Sequence, residues 1–466
     1  MYKVVFILII ERFKQIGGFI LSFKHTLSIG LMLFALFFGA GNMIFPPLLG
    51  QAAGTNIWPA VLGFLMTGVG LPLLGITAIA ISGGDLEKLA SRVHPIFAIV
   101  FTIVLYLSIG PIFAIPRTGT VAFEIGAAPL LPTEIASSSM SLFIYTIIFF
   151  GLTLWLSLNP SKLVDSIGKI LTPALLITIA ILVVQAFINP MGPLSTPGEA
   201  YESAPFFKGF IEGYLTLDAL AALVFGIVVI NAVKEVGVTD YKKIASATIK
   251  AGVIAALGLM LVYISLAYLG ATSPSVVGNV DNGGQILSKS AAYYYGAAGN
   301  IVLGLAITLA CLTTSVGLVT SCSEYFHKIW PKFSYRQYAV IISIISMLIA
   351  NVGLTQLINL SLPVLLVIYP IAITMVFLAF LNNFFNGSRY VYIGGVIGTA
   401  LVSVWDGLVY SGIAGEKVKQ ILSVLLPLYN EGVGWIVPAL IGIAIGYLFS
   451  FKEKKQQKIQ KYKKVS

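Results

Sequence analysis

Residues 34–50 carry the densest chemical pattern in the chain. They read Phe-Ala-Leu-Phe-Phe-Gly-Ala-Gly-Asn-Met-Ile-Phe-Pro-Pro-Leu-Leu-Gly. The apolar run around them, 27–49, is long enough to cross a bilayer as a helix. Its centre is Gly39-Ala40-Gly41-Asn42, and Pro46 and Pro47 follow. Neither proline has a backbone N–H, so the carbonyls of Asn42 and Met43 lose their usual donors. Two half-helices are expected, one ending near Phe38 and one starting near Asn42, with the prolines near the second one's first turn. Irregular backbone at membrane depth persists only where it faces protein or a watery cavity. Such a break offers N–H groups to an anion and carbonyls to a cation. A kinked packing helix with small residues at a helix contact fits the same letters equally well.

Other polar residues fall in apolar surroundings. Asp218, in Thr216-Leu217-Asp218, sits near the middle of a span, where a carboxylate costs about 2.5–3.5 kcal/mol on insertion scales. It must face the bundle interior, toward a cation, a proton or an amine, or else anchor a helix break. Few fixed cations are available at that depth, so its partner is expected to be mobile. Tyr214, Ala221, Ala222 and Phe225 share its face at helical spacing. Ala310, Thr313, Thr314, Gly317 and Ser321 form a stripe with helical periodicity. Hydroxyl oxygens suit a small hard cation; hydroxyls bonded to their own backbone are the competing reading. Arg117 and Glu124 lie on one face of a span kinked by Pro111 and Pro116, near its outer end. They form an ion pair or outer gate, or snorkel to headgroups. Glu212 and Asp406 lie nearer span ends. Asn359, Ser361 and Pro363 suggest a further break.

The elements that must position these residues are membrane helices. The chain is 58% hydrophobic and 10% charged, with mean hydropathy +0.96, which excludes a soluble globular protein. Residues 4–10 are apolar but too short to span, and no cleavage site follows them. They read as an interfacial segment or an extension. Twelve spans are expected, at 27–50, 58–81, 95–124, 141–158, 169–188, 208–232, 250–271, 298–326, 338–352, 356–381, 390–410 and 435–451. Trp58, Trp155, Trp330, Trp405 and Trp435 fall near span ends, as an interfacial belt requires. The loop 272–297, with Tyr293, Tyr294 and Tyr295, is a candidate cover for an entrance. Cys311 and Cys322 lie on one helix about 16 Å apart, too far to bridge.

Charge placement gives orientation. Lys208, Lys289, Lys417 and Lys419 lie on one side, Arg117 lies within a span, and every other Lys and Arg lies on the opposite side. By the positive-inside rule both termini are cytoplasmic. The basic tail therefore reads as a face near anionic headgroups rather than a nucleic-acid site. Span 6 carries Thr216-Leu217-Asp218 five spans after the broken span 1, and long span 8 follows long span 3 by five. An odd offset reverses orientation, the pattern of inverted repeats. The expected organisation is a cytoplasmic segment 1–26, a first repeat 27–188 (helices 1–5), a second repeat 208–381 (helices 6–10), helices 11–12 at 390–451, and a basic cytoplasmic tail 452–466.

The chain has no phosphate-binding Gly-rich loop ending in Lys-Ser/Thr, and His25, His94 and His327 are far apart at span ends. An enzyme or ATP-driven motor is not expected, and no cofactor is implied.

Phe37-Phe38-Gly39-Ala40-Gly41-Asn42-Met43-Ile44-Phe45-Pro46-Pro47 closely resembles the bacterial branched-chain amino acid:cation symporters, the BrnQ-like LIVCS family. Ile115-Pro116-Arg117-Thr118-Gly119-Thr120-Val121-Ala122-Phe123-Glu124 and Gly213-Tyr214-Leu215-Thr216-Leu217-Asp218-Ala219-Leu220 extend the resemblance, which covers nearly all of the chain after Ser28. Residues 1–25 are unlike the short start the family leads one to expect. The family is similar in plan to the leucine-transporter (LeuT) fold, which implies an all-α bundle of a 5+5 inverted repeat plus two extra helices. It also implies roles. Ala40 and Gly41 N–H groups would hold the substrate carboxylate, beside Asn42. Thr216, Leu217 and Asp218 would line the substrate where span 6 unwinds. Ala310, Thr313 and Thr314 would bind sodium together with the Ala35 and Phe38 carbonyls. Asp218 is acidic where that fold's leucine carrier has a hydroxyl, which leaves sodium, a proton or the substrate amine as its partner.

The expected function is a secondary active symporter importing Leu, Ile and Val, coupled to sodium or protons by alternating access, in a bacterial plasma membrane. Each charge entering is worth about 2.3 kcal/mol per 100 mV. The residues alone stop at an ion-coupled carrier of a small zwitterion. The competing readings are a passive channel or facilitator, which needs a continuous polar stripe through several spans, and a carrier of another small amino acid.

Overall fold

The structure, a computed structural model, describes residues 23–158, 162–238 and 240–465. Most of the expected cytoplasmic segment 1–26 lies outside the described residues. No strand occurs among them. Seven helices are long and apolar enough to cross a membrane, eight if the bent pair Pro205–Thr216 and Asp218–Glu235 is one span. One of the seven, Ala40–Ile81, holds both the second half of span 1 and span 2. The shorter apolar helices Phe23–Phe37, Pro173–Ile188, Tyr335–Ala350 and Ile436–Phe451 supply the rest of span 1 and spans 5, 9 and 12. Every expected span thus corresponds to helix.

Span 1 is Phe23–Phe37 (1a) and Ala40–Ala53 (1b). The second half starts two residues earlier than expected, so Pro46 and Pro47 stand in its second turn. Span 6 is Pro205–Thr216 (6a) and Asp218–Glu235 (6b), bent by 44°. Span 3 is also interrupted. Pro95–Leu107 runs into a widened turn at Ser108–Ile112, where Gly110 leaves helical geometry, and the helix resumes at Ala114–Ala122. Pro111 is at that break, whereas Pro116 falls in the first turn of the resumed helix, where proline is tolerated.

The inter-span contacts come in mirrored pairs. Span 7 (Tyr241–Ala271) packs along both halves of span 1, and span 2 packs along both halves of span 6. Span 3 meets span 8 (Gly283–Ile329), and span 4 (Ser139–Leu158) meets span 9 (Tyr335–Ala350). Close backbone approach repeats too. A side chain at Gly50 or Gly270 would strike the backbone of Ala267 or Pro47, between spans 1 and 7; one at Gly63 or Gly209 would strike Phe206 or Ala60, between spans 2 and 6. Small residues at such contacts let membrane helices pack by van der Waals attraction. Spans 11 (Arg389–Tyr410) and 12 (Ile436–Val465) pack mainly on each other, with span 11 also against span 10 (Leu354–Leu381).

Three expectations change. Span 10 has no break: Leu354–Leu381 continues through Pro363 and Pro370. The Ser361 hydroxyl donates to the Ile358 carbonyl at 2.8 Å, a local adjustment of the kind that lets membrane helices absorb proline. The stretch 272–297 is largely helical, because span 8 begins at Gly283, capped by Asn282, and kinks at Gly296. It folds over the end of 1b, where Gln51 bonds Ser273, Gly278 and Val280. Trp435 is buried, while the other four tryptophans are exposed as an interfacial belt requires. Cys311 and Cys322 are free and buried.

Candidate functional site

Helix ends converge at the centre. Gly39 is extended (φ −114°, ψ −167°), and its N–H donates to Asn42 Oδ1 at 3.1 Å instead of to the Ala35 carbonyl one turn back. Ala40, Gly41 and Asn42 form the first turn of 1b, where N–H groups have no intrahelical acceptor. In span 6, Leu217 turns the chain with φ 66°. The Thr216 hydroxyl donates to the Gly213 carbonyl (2.9 Å) and accepts from the Asp218 N–H (3.3 Å).

A cavity of about 50 Å³ lies between these breaks. Ala40, Gly41, Asn42, Thr216, Leu217 and Asp218 all line it, as do Arg117, Thr118 and Thr314. Leu36, Phe37, Ile109, Ala221, Phe225 and Leu318 supply its apolar wall. The face around Asp218 divides: Ala221 and Phe225 reach the cavity, while Ala222 packs toward Gly75 and Tyr214 stacks on Tyr369.

Asp218 is 2% exposed and has two fixed side-chain hydrogen-bond partners. Its Oδ2 accepts from Asn42 Nδ2 at 2.8 Å and from the Tyr263 hydroxyl at 2.5 Å, and Asn42 Nδ2 also approaches that hydroxyl. The Asn42 side chain therefore ties the break in span 1 to the break in span 6. Tyr263, on span 7 and fully buried, was missed in the sequence. Its signal, a lone phenol in an apolar span, is weak in a chain with 21 tyrosines.

Arg117 is not near an outer end. The interruption at Pro111 places it at the level of the two breaks, where Nη1 donates to the Leu215 carbonyl at 2.5 Å and the guanidinium lies 5.0 Å from the Phe45 ring centroid. Glu124 is half-buried in the widened turn Phe123–Ala127 and does not line the cavity. The two form no ion pair with each other.

Of the five residues expected around sodium, Thr314 lines the cavity, and Ala35, Phe38, Ala310 and Thr313 do not. Thr314 stands at the span 1 break, its methyl 3.5 Å from where a Cβ on Gly39 would be. The hydroxyls of Thr313 and Thr314 donate to the Ala310 carbonyl at 2.9 and 3.0 Å, which leaves their oxygen lone pairs free to accept. Open space lies over Gly317, one turn on. No group of three or more His, Cys, Asp or Glu side chains suited to a transition metal occurs among the described residues.

The family model described as branched-chain amino acid transport protein matches residues 22–453. The branched-chain amino acid permease BraB of Bacillus subtilis is 56% identical over 430 residues, which cover 92% of this chain and 96% of that protein. The branched-chain amino acid transport system 2 carrier protein of Pseudomonas aeruginosa is 43% identical over 419 residues, covering 90% and 94%. Among solved structures, Mhp1, a nucleobase-cation-symport-1 family transporter in a closed conformation with bromovinylhydantoin bound, aligns with TM-score 0.60 at 13% identity over 93% of each chain. MhsT in complex with L-phenylalanine aligns with TM-score 0.51 at 17% identity, covering 92% of this chain and 98% of that one. These likenesses fix the fold as the LeuT-like one, in a multi-pass membrane protein that is a transporter and not an enzyme.

Proposed function

This chain belongs to the family of branched-chain amino acid transport proteins, and we propose that it imports leucine, isoleucine and valine by coupling each to the entry of a cation. One observation supports the reading most: both helix breaks, a buried cation and a buried carboxylate line a single small cavity with an apolar wall. The backbone donors of Ala40 and Gly41 suit a carboxylate, Asp218 suits an ammonium group, and the apolar wall suits a branched side chain. The cavity is narrow, and its walls are proposed to move as a branched side chain enters. Rocking one group of helices against another around a fixed site supplies that movement.

Sodium is the proposed co-substrate, accepted by Thr313 and Thr314 together with carbonyls of Ala35, Phe38 and Ala310. Its binding beside Gly39 would set the position of 1a relative to span 8 and so link cation entry to access. The working unit is a first repeat at 27–188 and a second at 208–381, with helices 11–12 at 390–451 outside them. The Lys and Arg distribution supports a bacterial plasma membrane location with both termini, including the tail 452–466, in the cytoplasm. Counterflow in proteoliposomes tests the carrier reading. Labelled leucine should accumulate transiently against a load of unlabelled leucine, and simple equilibration without overshoot would favour a passive channel.

A further inference from the structure

We propose that Arg117 is the anchor for the substrate carboxylate, acting through the Nε–Nη2 edge of its guanidinium. The inference rests on the amino acid carrier reading above and names the chemistry of one end of that site. Arg117 is 2% exposed and lines the cavity with Ala40 and Gly41. Only Nη1 has a hydrogen-bond acceptor, the Leu215 carbonyl; Nε and Nη2 are buried with no partner. Phe45 covers the guanidinium without accepting a conventional hydrogen bond. A guanidinium has five N–H donors; Nε and Nη2 carry three of them, all unused, on the edge whose fork geometry matches a carboxylate bidentately. A buried cation with unmet donors is costly and persists where an anion meets it.

The same cavity says which anion. Nη1 lies 3.1 Å from where a Cβ on Gly41 would be, so the guanidinium adjoins the backbone donors at the start of 1b. Asp218 also lines the cavity but makes no ion pair with Arg117, its carboxylate being held by Asn42 and Tyr263. A simple inorganic anion beside Arg117 would face that carboxylate with nothing to offset it. An α-amino acid carries its ammonium group one carbon from its carboxylate and can span the two. The ligand class is therefore the zwitterionic α-amino acid, with the carboxylate on Arg117 and the 1b N–H groups and the ammonium toward Asp218. The carboxylate then needs no direct contact with the coupling ion.

The test is equilibrium binding of labelled leucine to the purified full chain, competed by leucine or by leucinamide, which lacks the carboxylate. Wild-type protein should prefer leucine by about 100-fold, as expected for one partner of a buried charge pair. Arg117→Gln should lower leucine affinity by a similar factor and collapse the preference to within about 3-fold, with leucinamide affinity little changed. Arg117→Lys, which keeps the charge and loses the fork, should be intermediate and retain part of the preference. Replacing chloride by gluconate should leave wild-type leucine affinity unchanged. The inference is overturned if Arg117→Gln keeps the wild-type preference, if wild-type protein binds leucinamide as tightly as leucine, or if chloride competes with leucine. Should Arg117→Gln fail to fold, wild-type leucinamide affinity and the Arg117→Lys ratio still decide. A wild-type chain that binds no branched-chain amino acid would overturn the carrier reading itself.

Discussion

The breaks in spans 1 and 6 meet at one cavity but are built differently. In span 1 the chain leaves the helix through extended backbone at Gly39, and a neutral side chain, Asn42, caps the freed N–H. A side chain at Gly39 would make only ordinary contact, at 3.5 Å. In span 6 the turn is made by Leu217 in a left-handed conformation, which costs a non-glycine residue roughly 1–2 kcal/mol. Backbone strain and the carboxylate therefore sit together in span 6, while span 1 offers unstrained backbone donors. Span 1 is suited to holding a ligand by its peptide groups, and span 6 to holding a charge that Asn42 and Tyr263 fix in place.

The largest effect should come from removing the charge. Asp218→Asn keeps the shape, and leucine uptake should fall by about 100-fold or more in correctly inserted protein, with Asp218→Glu retaining part of it. Uptake by the Asn variant with wild-type sodium and pH dependence would reduce Asp218 to an anchor for the break. A double Thr313→Ala, Thr314→Ala variant comes next. The sodium concentration for half-maximal uptake should rise about 10-fold, and serine at both positions should restore most of it; unchanged sodium activation would remove span 8 from cation binding. Tyr263→Phe takes one of two side-chain donors from Asp218, at a cost of about 1.5–3 kcal/mol for a bond to a charged group. Leucine affinity should weaken more than thermal stability does, and a pure stability loss would make Tyr263 a packing residue. The smallest effects test the backbone contrast directly. Leu217→Gly should lower the unfolding temperature less than truncation of another buried leucine, because strain relief of roughly 1–2 kcal/mol offsets only part of the lost packing of roughly 2–5 kcal/mol, and Gly39→Ala should be close to neutral. A large loss in Gly39→Ala would show that the two breaks are not built as described.

Much of this was legible in the sequence. The small residues Gly39-Ala40-Gly41-Asn42 in an apolar run marked the break in span 1, although helix 1b runs on through Pro46 and Pro47, and a mid-span carboxylate forced span 6 inward. Arg117 differs because the sequence reads span 3 as kinked, whereas Gly110 and Pro111 interrupt it and the resumed helix carries Arg117 to the cavity. The same proline logic overstated Pro363, since span 10 absorbs it without breaking. Tyr263 and the role of Asn42 in joining the breaks depend on which helices become neighbours. That pairing is set by small residues such as Gly50 and Gly270, which let spans 1 and 7 touch backbone to backbone.

Leucine uptake in proteoliposomes at clamped voltage, with sodium and pH varied independently, decides whether the two helix breaks form a sodium-coupled carrier. An inward sodium gradient should drive leucine above its external concentration at constant pH, and a more negative interior should increase the accumulation. Leucine that only equilibrates whatever the sodium gradient, or that concentrates in response to pH alone, would contradict sodium coupling.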